Sequence, residues 1–299
     1  MSTYKIAAIV VTYNRKELLK KCIESILKQS YLPTTLYIID NASTDGTDSY
    51  FTSTNDLSPI IKYIRLNENG GGAQGFYYGL RIAHETNSYD AYWVMDDDGQ
   101  PDKYCLENLT SYLPQYDYLA PLVLDIDNKE QLAFNYNGSF VLKDVVNKAS
   151  NNILKDWACP FNGILYSKKL VEKIGYPKKE LFIWGDEANY HMRAQEEGLI
   201  PHMIMTAIHY HPKEKTLLYK SITRDVIYVD NKLKTYCYHR NLIYNHRKFW
   251  KLRNYLGHIC NYSYYILIKK MNLSLFVTFF KACIDGYHSK FDGHKKYLR

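Results

Sequence analysis

Three consecutive aspartates and a glycine, Asp96-Asp97-Asp98-Gly99, follow directly on the apolar run Ala91 to Met95. Carboxylates this close repel one another, and a shared divalent cation relieves the repulsion. Alternate residues of an extended segment point the same way, so Asp96 and Asp98 share one ligand face. Mg2+ or Mn2+ held there keeps open positions for a diphosphate and stabilises the charge of a departing phosphate. A second acidic pair, Asp186-Glu187, lies where a helical stretch begins. It suits the positive end of a helix dipole, or a general base that takes a proton from an attacking hydroxyl. His209-Tyr210-His211 puts two imidazoles on one side of a strand, and either His209 or His211 would complete a metal's ligand set. Asn69-Gly70-Gly71-Gly72-Ala73-Gln74-Gly75-Phe76 presents backbone amides ahead of a helix start, which favours anions. It lacks the Lys-Ser/Thr of a P-loop and the spacing of a dinucleotide fingerprint.

These residues need elements to hold them. Ile6 to Thr12 reads as a buried parallel strand, and Leu18, Leu19, Cys22, Ile23, Ile26 and Leu27 follow at helical spacing. Leu36 to Ile39 is a second strand ending at Asp40-Asn41, and Ser43 to Thr47 is turn chemistry that opens another helix. A third strand spans Ile60 to Leu66, a helix is expected around Phe76 to His84, and a fourth strand runs from Ala91 to Met95. Strand and helix alternate, which predicts an open α/β sheet, mostly parallel, with helices on both faces. In such sheets the ligand sits beyond the carboxyl ends of the strands. Those ends carry Thr12-Tyr13-Asn14, Asp40-Asn41, Asn69 to Gly72 and Asp96 to Asp98. From Tyr118 to His211 the pattern is mixed, with a helix expected over Asp186 to Glu197.

Charge divides the 299 residues unevenly. Residues 213–299 hold 18 Lys and Arg against 5 Asp and Glu, and residues 1–212 hold 20 against 26. This predicts a catalytic domain over 1–212 and a basic, aromatic, helical appendage over 213–299 that seeks an anionic partner. A nucleic-acid partner would leave the aspartates without a use, so none is expected. Ile266 to Phe280 is apolar but interrupted by Lys269 and Lys270, which suits helices lying on an anionic membrane surface. No uninterrupted apolar run is long enough to span a bilayer, and the N-terminal residues lead straight into a strand, with no signal-peptide pattern. The six scattered cysteines form no CxxC pair and read as reduced thiols. The 30 tyrosines suit sugar-binding surfaces and membrane interfaces.

Val10-Val11-Thr12-Tyr13-Asn14-Arg15, Ile39 to Thr47 and the aspartate triplet together resemble family 2 glycosyltransferases of the GT-A fold. The glycine-rich loop and Trp93 to Gly99 are similar to those of bacterial galactofuranosyltransferases and the related rhamnosyltransferases. The resemblance implies a single inverting displacement from a nucleotide sugar, UDP-galactofuranose as first choice and dTDP-rhamnose as alternative. It implies that Thr12, Asn14, Arg15, Asp40 and Asn41 surround the nucleoside, with Asn69, Gly70, Gly71, Gly72 and Asp97 also on the donor. Asp96 would contact the nucleotide, and Asp96 and Asp98 would hold Mn2+ or Mg2+ with a histidine. The acidic pair marks the acceptor side, with Glu187 where the base usually stands, although Asp186 stays open. Trp157 and Trp184 are candidates to stack on sugar. Tyr238-His239-Arg240-Asn241 is similar to a segment that follows the catalytic domain in these enzymes. The implied acceptor is a polyprenyl-diphosphate-linked saccharide at the cytoplasmic face of the membrane.

Overall fold

The computed structural model describes residues 3–53, 58–215 and 217–298. It divides into two compact units, one of residues 1–179 with 190–214, the other of residues 180–189 with 215–299.

The first unit opens with β1 (Ile6–Thr12), α1 (Lys16–Leu27), β2 (Thr35–Asp40), α2 (Thr47–Ser53), β3 (Ile61–Arg65), α3 (Gly71–Glu85) and β4 (Ala91–Asp96). Next come β5 (Gln100–Pro101), α4 (Cys105–Thr110), β6 (Tyr118–Asp125), β7 (Gln131–Tyr136), β8 (Ser139–Val141), α5 (Leu142–Val146), β9 (Ile153–Lys155), β10 (Asn162–Ser167) and α6 (Lys168–Ile174). α7 (Asp186–Glu196) begins in the second unit and ends in the first, which closes with β11 (His202–His211). Among the described residues the main sheet has 11 strands, with the path β3-β2-β1-β4-β10-β6-β11-β5. β1 to β4 are mutually parallel, and β10 runs against both of its neighbours. β6 and β11 are parallel.

Burial on both faces explains the apolar strands: every residue of β1, β2 and β6 is buried. α1 covers one face with Leu19, Cys22, Ile23 and Ile26. Leu18, expected on that stripe, lies at its margin and is exposed. α3 covers the other face through Ala73, Phe76, Leu80 and Ala83. It starts several residues before the expected point, so Gly71 and Gly72 form its first turn. Its close approach to the sheet depends on two later glycines. A Cβ at Gly75 would come within 2.3 Å of Val11 Cγ1, and one at Gly79 within 2.5 Å of Ile9 Cγ2.

The second unit contains the start of α7, a two-stranded ribbon of β12 (Leu218–Tyr219) and β13 (Val226–Ile227), and α8 (Lys232–His246), α9 (Leu252–Tyr264) and α10 (Leu273–Tyr287). A π-helical turn, Tyr265–Lys269, follows α9. α10 packs along α8, and a Cβ at Gly286 would reach the Arg240 carbonyl at 2.4 Å. Among the described residues no helix is long and apolar enough to cross a membrane.

Gly75→Ala tests the α3 contact. Helix propensity favours alanine by up to about 1 kcal/mol, but overpacking against a β-branched strand residue costs about 1–3 kcal/mol. Urea unfolding should therefore show a net loss for Gly75→Ala and Gly79→Ala. Gly72→Ala, whose Cβ meets nothing within 4 Å, should be neutral or slightly stabilising. Equal stability of all three variants would contradict the close packing of α3 on β1.

Candidate active site

The parallel register aligns the strand ends. Thr12 is paired with Asp40, Asp40 with Arg65, and Val11 with Asp96. The polar ends of β1, β2, β3 and β4 thus form one row at the carboxyl edge, where open α/β sheets bind ligands.

Asp97 is the buried anchor of this row, at 2% exposure. Its Oδ2 accepts from the Thr12 hydroxyl at 2.6 Å and its Oδ1 from Arg15 Nη1 at 3.2 Å. The same guanidinium nitrogen donates to Asp98 Oδ2 at 2.9 Å. Thr12 and Arg15, expected around the nucleoside, are thus tied to the carboxylates. The turn after β1 is built by Asn14, in the left-handed region at φ 53°. Its N–H donates to Ser43 Oγ at 2.9 Å and its Oδ1 accepts from the Thr44 N–H at 2.7 Å. Asp40 is fully buried: its Oδ1 accepts from the Ser43 amide at 2.8 Å and its Oδ2 from the Tyr63 hydroxyl at 2.5 Å. Arg65 Nε stands 3.9 Å from Asp40 Oδ2. Sequence reasoning missed Tyr63 and Arg65, although Arg65 ends a strand on the same edge. Asn41 is buried with no donor to its Oδ1. Asn69 Oδ1 accepts the Gly71 N–H at 2.9 Å, which shapes the entry to α3 beside Gly70 and Gly72.

β11 runs beside β6 and brings His211 to the triplet, with Nε2 3.1 Å from Asp98 Oδ1. His211 Nδ1 lies 2.6 Å from the Pro212 carbonyl, and Phe134 packs against the ring. A protonated imidazole at this distance pairs with the Asp98 carboxylate, and a neutral one turns its Nε2 lone pair to the same point. His209 is placed differently. Its ring fills space left by two glycines: a Cβ at Gly99 would come within 2.3 Å of Nε2, and one at Gly163 within 2.8 Å of Nδ1. Neither ring nitrogen of His209 has a hydrogen-bonding partner. The glycine after the aspartates therefore serves the His209 ring.

Electrostatics at the triplet follow from crowding. Burial first, then Asp98 and Asp97, push the pKa of Asp96 up to about 8. Burial pushes Asp97 up to about 6 against the opposing effects of Thr12 and Arg15. Burial also raises Asp98, but His211 and Arg15 outweigh it and leave the group below the usual carboxylate range. His211 is lowered by burial and raised more by Asp98, so it ends above the ordinary imidazole value. Burial pushes His209 down to about 3.

Among the described residues no three His, Cys, Asp or Glu side chains converge as a ready-made metal cage. The donor chemistry still fits Mn2+ or Mg2+, which commonly take one or two carboxylates and complete their shell with phosphate oxygens and water. Asp98 and His211 are adjacent, and the crowding of negative charge at Asp96 is what a cation would relieve.

Asp186 and Glu187 belong to the second unit. Asp186 is buried and Glu187 is partly exposed, with Oε2 accepting from the Gly185 N–H at 3.0 Å. Trp184 is in the same segment, with φ 59°, edge-on to Tyr238 and with Lys234 Nζ 5.4 Å from its ring centre. Trp157 lies in the first unit, edge-on to Tyr136.

The pattern of glycosyl transferase family 2 matches residues 7–174. Galactofuranosyltransferase GlfT1 of Mycolicibacterium smegmatis is 30% identical over 221 residues, 70% of this chain and 72% of that protein. GlfT1 of Mycobacterium tuberculosis is 32% identical over 219 residues, 70% of this chain and 71% of that protein. The mannosyltransferase PcManGT from Pyrobaculum calidifontis, solved in complex with GDP-Man and Mn2+, superposes with a TM-score of 0.56 at 16% identity. That match covers 94% of this chain and 74% of the other, and it shows a shared GT-A-type fold. The ordered strand-end motifs, the fold and the family pattern converge: this chain belongs to glycosyl transferase family 2 and is a glycosyltransferase related to galactofuranosyltransferases.

Proposed function

We propose that the protein transfers galactofuranose from UDP-galactofuranose, with inversion, to a lipid-linked saccharide, using a divalent cation at Asp96, Asp98 and His211. The observation that carries this reading is the Asp98–His211 contact of 3.1 Å, a carboxylate and an imidazole brought together beside two further aspartates. The galactofuranosyltransferase relatives support the donor sugar, and the Mn2+ bound by the mannosyltransferase supports the metal. Bound at these residues, the cation neutralises the diphosphate leaving group.

The chain's own residues supply the remaining work. Arg15 and Thr12 hold Asp97, and through it the triplet, in one arrangement. The turn that buried Asp40 holds through Ser43 and the first turn of α3 border the donor's nucleoside and phosphates. Glu187, the more accessible of the acidic pair, takes the proton of the acceptor hydroxyl as its oxygen bonds to the anomeric carbon. The bond from that carbon to the diphosphate breaks on the opposite face, and UDP leaves with the bonding pair.

The second unit carries a surface suited to an anionic bilayer. Leu273, Val277, Phe280, Ile284 and Tyr287 recur on one face of α10, each between 45% and 67% exposed. Lys269, Lys270 and Lys281 are exposed around it. An apolar stripe rimmed by lysines lies in a membrane interface with its charges toward phosphate.

Three measurements test these readings. Thermal unfolding with Mn2+ should show stabilisation by UDP-galactofuranose that EDTA or Asp98→Ala abolishes, with transfer reduced at least about a hundredfold. Stabilisation by dTDP-rhamnose instead would contradict the donor, and full transfer by Asp98→Ala would contradict the metal role.

The pH dependence of stability has a defined sign. The raised Asp96 and Asp97 make the folded chain bind more protons than the unfolded chain, so stability falls as pH rises from about 4 to about 8. His211 acts in the same sense: its stabilisation is present below the ordinary imidazole value and lost as pH rises through its raised one. Asp98 acts oppositely, its contribution being lost as pH falls through its depressed value. A cation replaces the protons, so the Mn2+-induced rise in Tm should be larger at about pH 8 than at about pH 5. Equal increments at both would count against the site.

Vesicle co-sedimentation should show binding to anionic but not zwitterionic vesicles, lost in Val277→Asp/Phe280→Asp. Undiminished binding by the double variant would rule out the α10 stripe.

A further inference from the structure

The segment that leads into the acidic pair is strained and tightly held. Phe182, Trp184 and Gly185 lie in the left-handed region at φ 66°, 59° and 103°. Side chains such as Phe and Trp seldom adopt that conformation, and it persists only where surrounding structure determines it. Here the determinant is one face of α8. The two hydrogens of Asn241 Nδ2 face the carbonyls of Leu181 at 2.9 Å, Ile183 at 2.9 Å and Trp184 at 2.7 Å, one of them shared. One turn later Asn245 Nδ2 donates to the Gly185 carbonyl at 2.8 Å, and its Oδ1 accepts from Asn189 Nδ2 at 3.0 Å.

The amides are themselves oriented. Arg240 Nε donates to Asn241 Oδ1 at 2.9 Å, which turns Nδ2 toward the segment. Arg240 also donates to the carbonyls of Leu181 at 2.6 Å and Phe291 at 2.7 Å, and both Arg240 and Asn241 are fully buried. Gly185 completes the fit, since a Cβ there would lie 3.0 Å from Asn241 Cβ. The next residues are Asp186 and Glu187, and the Gly185 N–H holds Glu187 Oε2.

We propose that Asn241 and Asn245, set by Arg240, are positioning residues for transfer: they fix the backbone from which the base projects. This rests on the proposed base role of the Asp186-Glu187 pair.

The test uses the full chain with Mn2+ and UDP-galactofuranose. Asn241→Ala and Asn245→Ala are checked for folding by thermal unfolding and for donor-binding stoichiometry by calorimetry. Where Asn241→Ala does not fold, Asn245→Ala, which loses only the Gly185 carbonyl and Asn189 amide contacts, carries the test. With full donor stoichiometry and unchanged donor KM, kcat should fall on the order of tenfold to a hundredfold, as expected for a displaced reacting group. Combined with Glu187→Gln, the Asn245→Ala loss should largely vanish, because both changes act through one carboxylate. A purely structural role predicts the same fractional loss in both backgrounds, and that result overturns the proposal. So does wild-type kcat in the folded asparagine variants. Full transfer by both Glu187→Gln and Asp186→Asn removes the base reading instead, and this inference with it.

Discussion

Three carboxylates in sequence, at the end of a strand buried on both faces, set the terms for the first unit. Water cannot fully solvate them, and the charges available within the unit compensate only in part. Arg15 reaches Asp97 and Asp98, His211 reaches Asp98, and Asp96 is left to hold a proton near neutral pH. An arrangement so short of positive charge has a use when the missing charge arrives with the substrate. A diphosphate accompanied by a divalent cation supplies it, and the same cation is then present where negative charge develops.

The fold accepts this cost because its elements converge on one edge. Parallel pairing of β1, β2, β3 and β4 puts Thr12, Asp40, Arg65 and Asp96 side by side. The glycines of α3 let that helix lie against β1 and β2 with its first turn at the edge. β11 adds His211 from a remote part of the chain, and the glycines at 99 and 163 leave room for His209 beneath. In the second unit one buried Arg-Asn pair holds a strained segment whose end carries two carboxylates.

Much of this was legible in the chain because it is local. The strand–helix alternation and the polar strand ends depend on short-range pattern, and the structure realises them. Consecutive glycines mimic a loop, so the pattern puts the start of α3 too late, whereas Gly71 at φ 75° enters the helix directly. His209 and His211 are equivalent by alternation, and only the glycines packed around His209 separate them. Arg240-Asn241 stands out in the sequence only by resemblance, and nothing local ties it to residues 180–189. The attachment of that segment to α8 rests on hydrogen bonds spanning roughly sixty residues, made by Arg240, Asn241 and Asn245.

The most direct test is a crystal structure of the protein grown with Mn2+ and UDP, with anomalous scattering used to locate the metal. One anomalous peak is expected at the end of β4, bonded to Asp98, His211 and a diphosphate oxygen, with Asp96 on the same cation or on one of its waters. A diphosphate bound at the strand edge with no metal at Asp98 and His211, or a metal held elsewhere, would contradict it.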